Sequence, residues 1–388
     1  MSDTASQSPG RVLIAADKFK GSLTAVQVAA HVAAGLRQVV PGLIIKELPV
    51  ADGGDGTVDA AVAAGFERRA VRVTGPLGTP VDAAYALRGS TAVVEMAEAS
   101  GLRRLPPGVF EPLTAGTHGT GELLAAALDA GARTIVLGVG GSATNDGGAG
   151  MLTALGARLL DGEGVPVGPG GGPLAGLVEA DLSRLDPRLA GTDLVLASDV
   201  DNPLLGPKGA AAVYGPQKGA SEQDVATLDA ALAHYVEVLS AAVGQRAVRA
   251  ADAPGAGAAG GIGYGALVGL AASFRPGIEV MLDVLGFADA LSGTDLVITG
   301  EGSLDQQTLH GKAPVGVARA ARARNIDVVA VCGRLALPPA ALGAAGIRRA
   351  YALTDFEPDV ARCIAEAGPL LEAAAAALAM DFLRPPQP

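Results

Sequence analysis

The densest collection of chemical groups in the chain is Gly138-Val139-Gly140-Gly141-Ser142-Ala143-Thr144-Asn145-Asp146-Gly147-Gly148-Ala149-Gly150. Glycines let a backbone bend sharply and approach a ligand closely. Amides that open a helix favour anions. Ser142, Thr144, Asn145 and Asp146 add short donors, acceptors and one carboxylate. Further candidates stand at or beyond the ends of apolar runs: Asp17 and Lys20, Asp52, Gly300-Glu301-Gly302, Asp305, and Lys312 beside His310. The set is carboxylates, lysines, hydroxyls and glycine loops, with no dominant nucleophile. Phosphoryl transfer needs those parts and little covalent help. Magnesium takes one or two carboxylates and keeps its waters.

Spacing narrows the choice. Gly302 and Gly311-Lys312 do not make a Walker A loop, and no protein-kinase glycine-rich loop with its companion motifs is present. Gly138-Val139-Gly140-Gly141-Ser142-Ala143 fits G-x-G-x-x-A after a strand, with Asp161 downstream, so a nicotinamide-dependent oxidoreductase acting on a small hydroxy acid is the alternative. Against it, the motif falls on a later strand than such folds use, and Asn145-Asp146 would crowd a pyrophosphate with negative charge. His31 and His234 read as helix-surface or packing residues.

The elements that must position these groups alternate. Arg11 to Ala15 reads as a strand that ends at Asp17-Lys18-Phe19-Lys20-Gly21, with Ser22 as N-cap of a helix over Thr24 to Val39. A second strand, Leu43 to Leu48, ends at Val50-Ala51-Asp52-Gly53-Gly54-Asp55-Gly56-Thr57, and a helix follows. Strand-loop-helix units in series predict a parallel sheet, whose ligands bind beyond the carboxyl ends of the strands. Ala70 to Val73, Val81 to Leu87 and Ala92 to Met96 lie too close together for crossover helices and read as antiparallel, with Glu95, Glu98 and Ser100 at their end. The glycine-rich stretch, the strand Asp193 to Ala197 ending at Ser198-Asp199, and the strands Asp295 to Thr299 and Asp327 to Cys332 come later. Helices over Asp359 to Glu366 and Pro369 to Phe382 close the chain. The expected fold class is α/β. A Rossmann-like parallel-sheet domain is built from discontinuous segments 1–67, 115–155 and 289–388. A second, inserted α/β domain containing antiparallel strands covers 68–114 and 156–288.

The totals agree with an enzyme of small molecules. The chain has 388 residues, enough for two or three domains. With 49% apolar residues but only 3% aromatic, Ala, Val and Leu must fill the core. A formal net charge of -11 argues against nucleic acid as the main partner. Two cysteines, Cys332 and Cys363, make no disulfide framework and suit a reducing, cytoplasmic setting. The polar start, Met1 to Gly10, is no signal peptide. Ala253 to Phe274 carries no formal charge, but its glycines and Pro254 predict a loop leading into a buried helix rather than a membrane span. The oligomeric state is open at this level.

Taken together, the loop residues resemble the bacterial type I glycerate kinases. The resemblance is carried by Ala16-Asp17-Lys18-Phe19-Lys20-Gly21-Ser22-Leu23, Pro49-Val50-Ala51-Asp52-Gly53-Gly54-Asp55-Gly56-Thr57, Gly140 to Gly148, Asp199-Val200-Asp201-Asn202-Pro203-Leu204, Tyr214-Gly215-Pro216-Gln217-Lys218-Gly219-Ala220, Pro254 to Gly261 and Thr299-Gly300-Glu301-Gly302, in that order from about Arg11 to the C-terminal helices. It implies ATP-dependent phosphorylation of glycerate at the 2-hydroxyl, with the two domains closing over ATP, magnesium and glycerate. The family commonly has Ser where this chain has Lys18, Glu at Asp55, and Arg at Ser303. In the reading that follows, Asp199 receives the proton of the attacking hydroxyl, with Asp17 next in line. One or two of Asp17, Asp52, Glu301 and Asp305 hold magnesium. Lys20, Lys218 and Lys312 contact phosphate or carboxylate. Gly140, Gly141, Ser142, Asn145 and Asp146 surround an anion, and Gly300, Gly302 and His310 complete the set.

Overall fold

A computed structural model describes residues 10–383. In chain order its strands are β1 Arg11–Ala16, β2 Ile44–Glu47, β3 Glu67–Thr74, β4 Pro80–Arg88, β5 Thr91–Glu95, β6 Thr134–Gly138, β7 Arg158–Asp161, β8 Leu177–Asp181, β9 Asp193–Ala197, β10 Ser273–Arg275, β11 Leu296–Leu304, β12 Asp327–Leu335 and β13 Ala350–Ala352. The chain forms two compact units. The first runs to Asp52, adds Asp59–Ala64 and resumes at Ile278; the second comprises Gly53–Val58 and Gly65–Gly277.

The first unit is built on a five-stranded sheet of order β13-β12-β11-β1-β2, parallel throughout. Val12 to Ala16 of β1 are buried, as a continuous apolar run in a sheet covered on both faces must be. Helix Ala25–Val39 packs against helix Ala367–Phe382 in the unit's core. The two come close enough that any side chain at Gly35 would drive into the carbonyl of Glu372. The cap of the first helix is Thr24 rather than Ser22. Thr24 Oγ1 accepts from the Gln27 N–H at 3.2 Å, and Gln27 Oε1 accepts from the Thr24 N–H at 2.9 Å, a capping box. Ser22 instead donates to the Phe19 carbonyl at 3.1 Å.

β11 also differs from expectation. It does not stop at Thr299 but continues to Leu304, pairing Glu301 with Cys332 and Ser303 with Arg334 of β12. Gly300 and Gly302 are therefore strand residues. A side chain on Gly300 would strike the Val331 carbonyl, and one on Gly302 would press on the backbone of Phe19 and Lys20.

The second unit carries a six-stranded sheet of order β10-β9-β6-β5-β4-β3. β10, β9, β6 and β5 are parallel, and β5-β4-β3 is the antiparallel meander read from the short gaps. A separate antiparallel pair joins β7 to β8. The glycine-rich stretch belongs here. β6 pairs with β5 and β9, so 115–155 does not extend the first sheet as expected. Gly53–Val58 joins this unit as well, because the Gly140 N–H donates to the Gly53 carbonyl at 3.1 Å and Glu95 Oε2 accepts from the Gly56 and Val58 amides at 3.1 and 3.3 Å. Ile278 to 288, expected in the inserted domain, falls in the first unit.

Among the described residues, helix Glu222–Val243 alone is long and apolar enough to cross a membrane by length and composition. Its Leu228, Ala231, Leu232, Tyr235, Val236 and Leu239 lie on one buried face, and all but Leu228 cluster with Tyr264 and Val268 of helix Ala258–Gly269, the buried helix expected after the uncharged loop. That second helix opens irregularly. Ala259, Gly260 and Gly261 all have positive φ, at 55, 71 and 93°.

Candidate functional site

In the five-stranded sheet the chain order reverses between β1 and β11, which places a crevice for ligands beyond their carboxyl ends. Asp17 follows β1 there, and its N–H donates to the Gly300 carbonyl at 2.8 Å, so Asp17 lies alongside Glu301 of the neighbouring strand. Asp17 is 6% exposed. Its Oδ1 accepts from the Lys18 N–H at 2.6 Å and from Lys18 Nζ at 3.4 Å. Burial nevertheless pushes its carboxyl up to about 7; the Lys18 ammonium pulls the other way, and the Asp52 charge adds to the rise. Glu301 is also buried. Its Oε1 accepts from Thr308 Oγ1 at 2.6 Å, and Lys312 Nζ lies 3.9 Å from Oε2. Burial raises this carboxyl too, with Asp52 and Asp305 contributing in the same direction. Asp52 therefore acts electrostatically on both.

The remaining candidates of this unit have distinct places. Asp305 Oδ1 accepts from the Gln307 N–H at 2.8 Å, so it organises the turn that holds Thr308 against Glu301. Lys20 is exposed, and Lys312 is half-buried with Gln307 and Glu301 near its ammonium. The side chain of His310 lies outside the described residues.

In the second unit the glycine-rich stretch connects β6 to helix Ala149–Ala154. Its glycines serve backbone packing. A side chain at Gly138 or Gly140 would collide with Gly53 or Gly54, and Gly141, at φ 75°, faces Asp55 and Ala97. Its polar side chains turn inward. Asp146, expected to bind an anion, is 1% exposed and accepts from Thr117 N–H at 2.9 Å, Thr117 Oγ1 at 2.7 Å, Gly148 N–H at 3.0 Å and Gly150 N–H at 3.2 Å. A buried carboxylate with four donors is an internal anchor for the helix openings around it, and its charge would repel an anion. Burial raises this carboxyl as well. Asn145 donates to the Pro112 carbonyl at 3.1 Å, and Ser142 Oγ donates to the Ala259 carbonyl at 3.1 Å. Lys218, expected on a phosphate, is 2% exposed and sits under the same loop. What faces outward is Gly141, whose peptide N–H has no partner among the described residues.

Sequence reasoning stopped short of two further groups. Glu95, at the end of β5, is 1% exposed and receives Arg103 Nη2 at 2.8 Å as well as the two amides noted above. Burial pushes its carboxyl up to about 7 against the pull of the Arg103 guanidinium. Arg103 also pairs with Glu98, and its Nη1 lies 3.8 Å from Asp55. Glu95 and Arg103 thus fix the loop Gly53 to Thr57; the signal available was a Glu at a strand end with an Arg eight residues on. Asp199 follows Ser198 after β9, is exposed, and accepts the Gly277 N–H on Oδ1 at 2.9 Å.

Among the described residues no group of three His, Cys, Asp or Glu converges to hold a metal unaided. The first unit still fits magnesium, which needs one or two carboxylates and fills its shell with water and phosphate oxygens. Burial and the Asp52 charge together raise the carboxyls of Asp17 and Glu301, and Thr299 Oγ1, on the same face of β11 as Glu301, is buried without a partner.

Comparison with known proteins identifies the family of the chain. The chain matches the glycerate kinase family over residues 12–383. It is 46% identical over 372 residues, covering 95% of this chain and 97% of the relative, to the glycerate kinase of Halalkalibacterium halodurans. It is 47% identical over 329 residues, covering 84% of this chain and 85% of the relative, to the glycerate 2-kinase of Escherichia coli K12. A crystal structure of a glycerate kinase 2 from Salmonella typhimurium LT2 matches with a TM-score of 0.83 at 41% identity, over 97% of this chain and 98% of that one.

Proposed function

The chain belongs to the glycerate kinase family, and on that premise we propose that it transfers the γ-phosphoryl group of ATP to the 2-hydroxyl of glycerate, giving 2-phosphoglycerate and ADP. The observation that carries the reading is the placement of Asp17 beside Glu301, with Asp52 acting on both, at the reversal point of the parallel sheet. Magnesium, when bound, supplies the charge that offsets the phosphate oxygens. Asp17, Asp52 and Glu301 are the residues that would hold it, and Lys20 and Lys312 are the cations of that unit able to reach phosphate or carboxylate. The Gly141 amide is offered to an anion, which we read as a phosphate of ATP. Asp199 accepts the hydroxyl proton as the new O–P bond forms and the bond from the γ-phosphorus to the β-bridging oxygen breaks. Its carboxylate is exposed where that of Asp17 is buried.

The nicotinamide alternative loses its footing in the structure. In a dinucleotide fingerprint the glycine turn opens the helix directly. Here the helix begins only at Ala149, well past β6, and the intervening side chains are committed inside the protein. Use of ATP and two free, buried cysteines fit a cytoplasmic enzyme. The test is ADP release with glycerate, ATP and magnesium, and the proton-coupled phosphorus spectrum of the product, which separates 2- from 3-phosphoglycerate. Absence of ADP release with any small hydroxy acid sinks the proposal.

A further inference from the structure

Burying an ammonium is expensive unless its donors are met. Lys218 meets that requirement without a carboxylate. Its Nζ has the Thr144 carbonyl at 2.6 Å, Asn145 Oδ1 at 3.3 Å and Ser142 Oγ at 3.4 Å, three acceptors for three N–H groups. All three belong to the glycine-rich loop. Two of them pass the constraint on, Asn145 to the Pro112 carbonyl and Ser142 to the Ala259 carbonyl in the left-handed turn. The loop also has two sides. Gly140 is half-buried and Gly141 exposed, whereas Ser142 to Asp146 are buried, and Lys218 stands on the buried side.

We propose that Lys218 is a positioning residue for anion binding, which sets the shape of the loop from within and never touches ATP or glycerate. The inference rests on the reading of the loop as a phosphate-facing element. A direct phosphate contact would require Lys218 to break three hydrogen bonds and cross the loop it supports. Burial lowers this ammonium to about 7, and the Asp146 charge opposes the shift.

Two measurements test this. Brief acetylation of the native protein with acetic anhydride, read by mass spectrometry, should leave Lys218 unmodified with or without ATP, while the exposed Lys20 reacts. Lys218→Met should raise the KM for ATP by about tenfold or more and leave kcat within about threefold. Ser142→Ala, which keeps the loop's other contacts, should shift KM in the same direction by less. If Lys218→Met does not fold, Ser142→Ala decides. Three outcomes overturn the inference: Lys218 acetylated in the free protein and protected by ATP; kcat collapsing at unchanged KM; or a lowered Tm with both kinetic constants intact. If the wild type consumes no ATP with glycerate, the functional reading fails separately. The acetylation pattern, and the rise in Tm given by tripolyphosphate in wild type and absent in Lys218→Met, still decide the role of Lys218.

Discussion

At the carboxyl end of the five-stranded sheet, Asp52 works against the ionisation of both Asp17 and Glu301, and the compensating lysines are partly or wholly in solvent. At the carboxyl end of the six-stranded sheet, Asp146 and Lys218 are fully buried and each has every strong partner it can use. One unit gathers carboxylates that raise one another where a ligand can answer them. The other spends the charge of Asp146 and Lys218 on holding glycine backbone in place, and that loop offers a ligand only amide groups. Identical residue types, Asp and Lys beside glycine, do opposite jobs, and what separates them is whether donors and acceptors balance locally.

The comparison breaks most visibly if the second loop is deformed. Gly260→Ala sets a methyl group against the Thr144 carbonyl at a position with φ 71°. It should cost about 3 kcal/mol or more, read by urea unfolding. A loss below about 1 kcal/mol would mean that the loop is pliable and its inward contacts dispensable.

Next comes Asp199→Asn, which preserves the oxygen that caps Gly277 but not the base. Turnover should fall by about 10²–10⁴-fold while the Tm stays near wild type. Unchanged turnover would reduce Asp199 to a cap and move the base to Asp17.

The first unit makes a prediction in pH. Burial raises Asp17 from 3.8 to about 7, so the folded state keeps a proton that the unfolded chain gives up between those values. The associated stability is complete below about pH 4 and lost as pH climbs through about 7. Asp17→Asn should therefore exceed wild type in Tm by most at pH 8 and by little at pH 4. Magnesium should raise the wild-type Tm at pH 8 and leave the variant unmoved. A Tm difference independent of pH would show that Asp17 is already compensated.

The smallest effect is expected at the cations that remain exposed or partly exposed. Lys20→Ala and Lys312→Ala should each change stability by less than about 1 kcal/mol while raising the KM for ATP or glycerate. A large stability loss at either would erase the contrast with Lys218.

How far this could be read from sequence follows the same line. Strand-loop-helix order, the antiparallel meander and the last helix, read over Pro369 to Phe382, were visible, because periodicity and gap length report on local geometry. Sheet membership was not. The apolar run Thr134–Gly138 would suit either parallel sheet, and only its register with β5 and β9 decides. The candidate carboxylates of the first unit were legible from their position after apolar runs. The inward turn of Ser142, Asn145 and Asp146 was not, since a short polar residue among glycines looks the same whether it faces a ligand or the protein. A lone lysine in a Pro-Gln-Lys-Gly turn carried no sign of burial either; the acceptors that allow it come from residues more than seventy positions away.

Glu301 sits on a strand rather than on a loop, and this fixes how it can respond. β11 is paired through Gly300 with β1 and through Glu301 with β12, so the backbone beneath that carboxylate cannot swing without unzipping a ladder. Its amide should exchange with deuterium on the slow timescale of the sheet core. Shortening the side chain in Glu301→Asp withdraws the carboxylate by about 1.5 Å, and the sheet cannot lean forward to restore the reach.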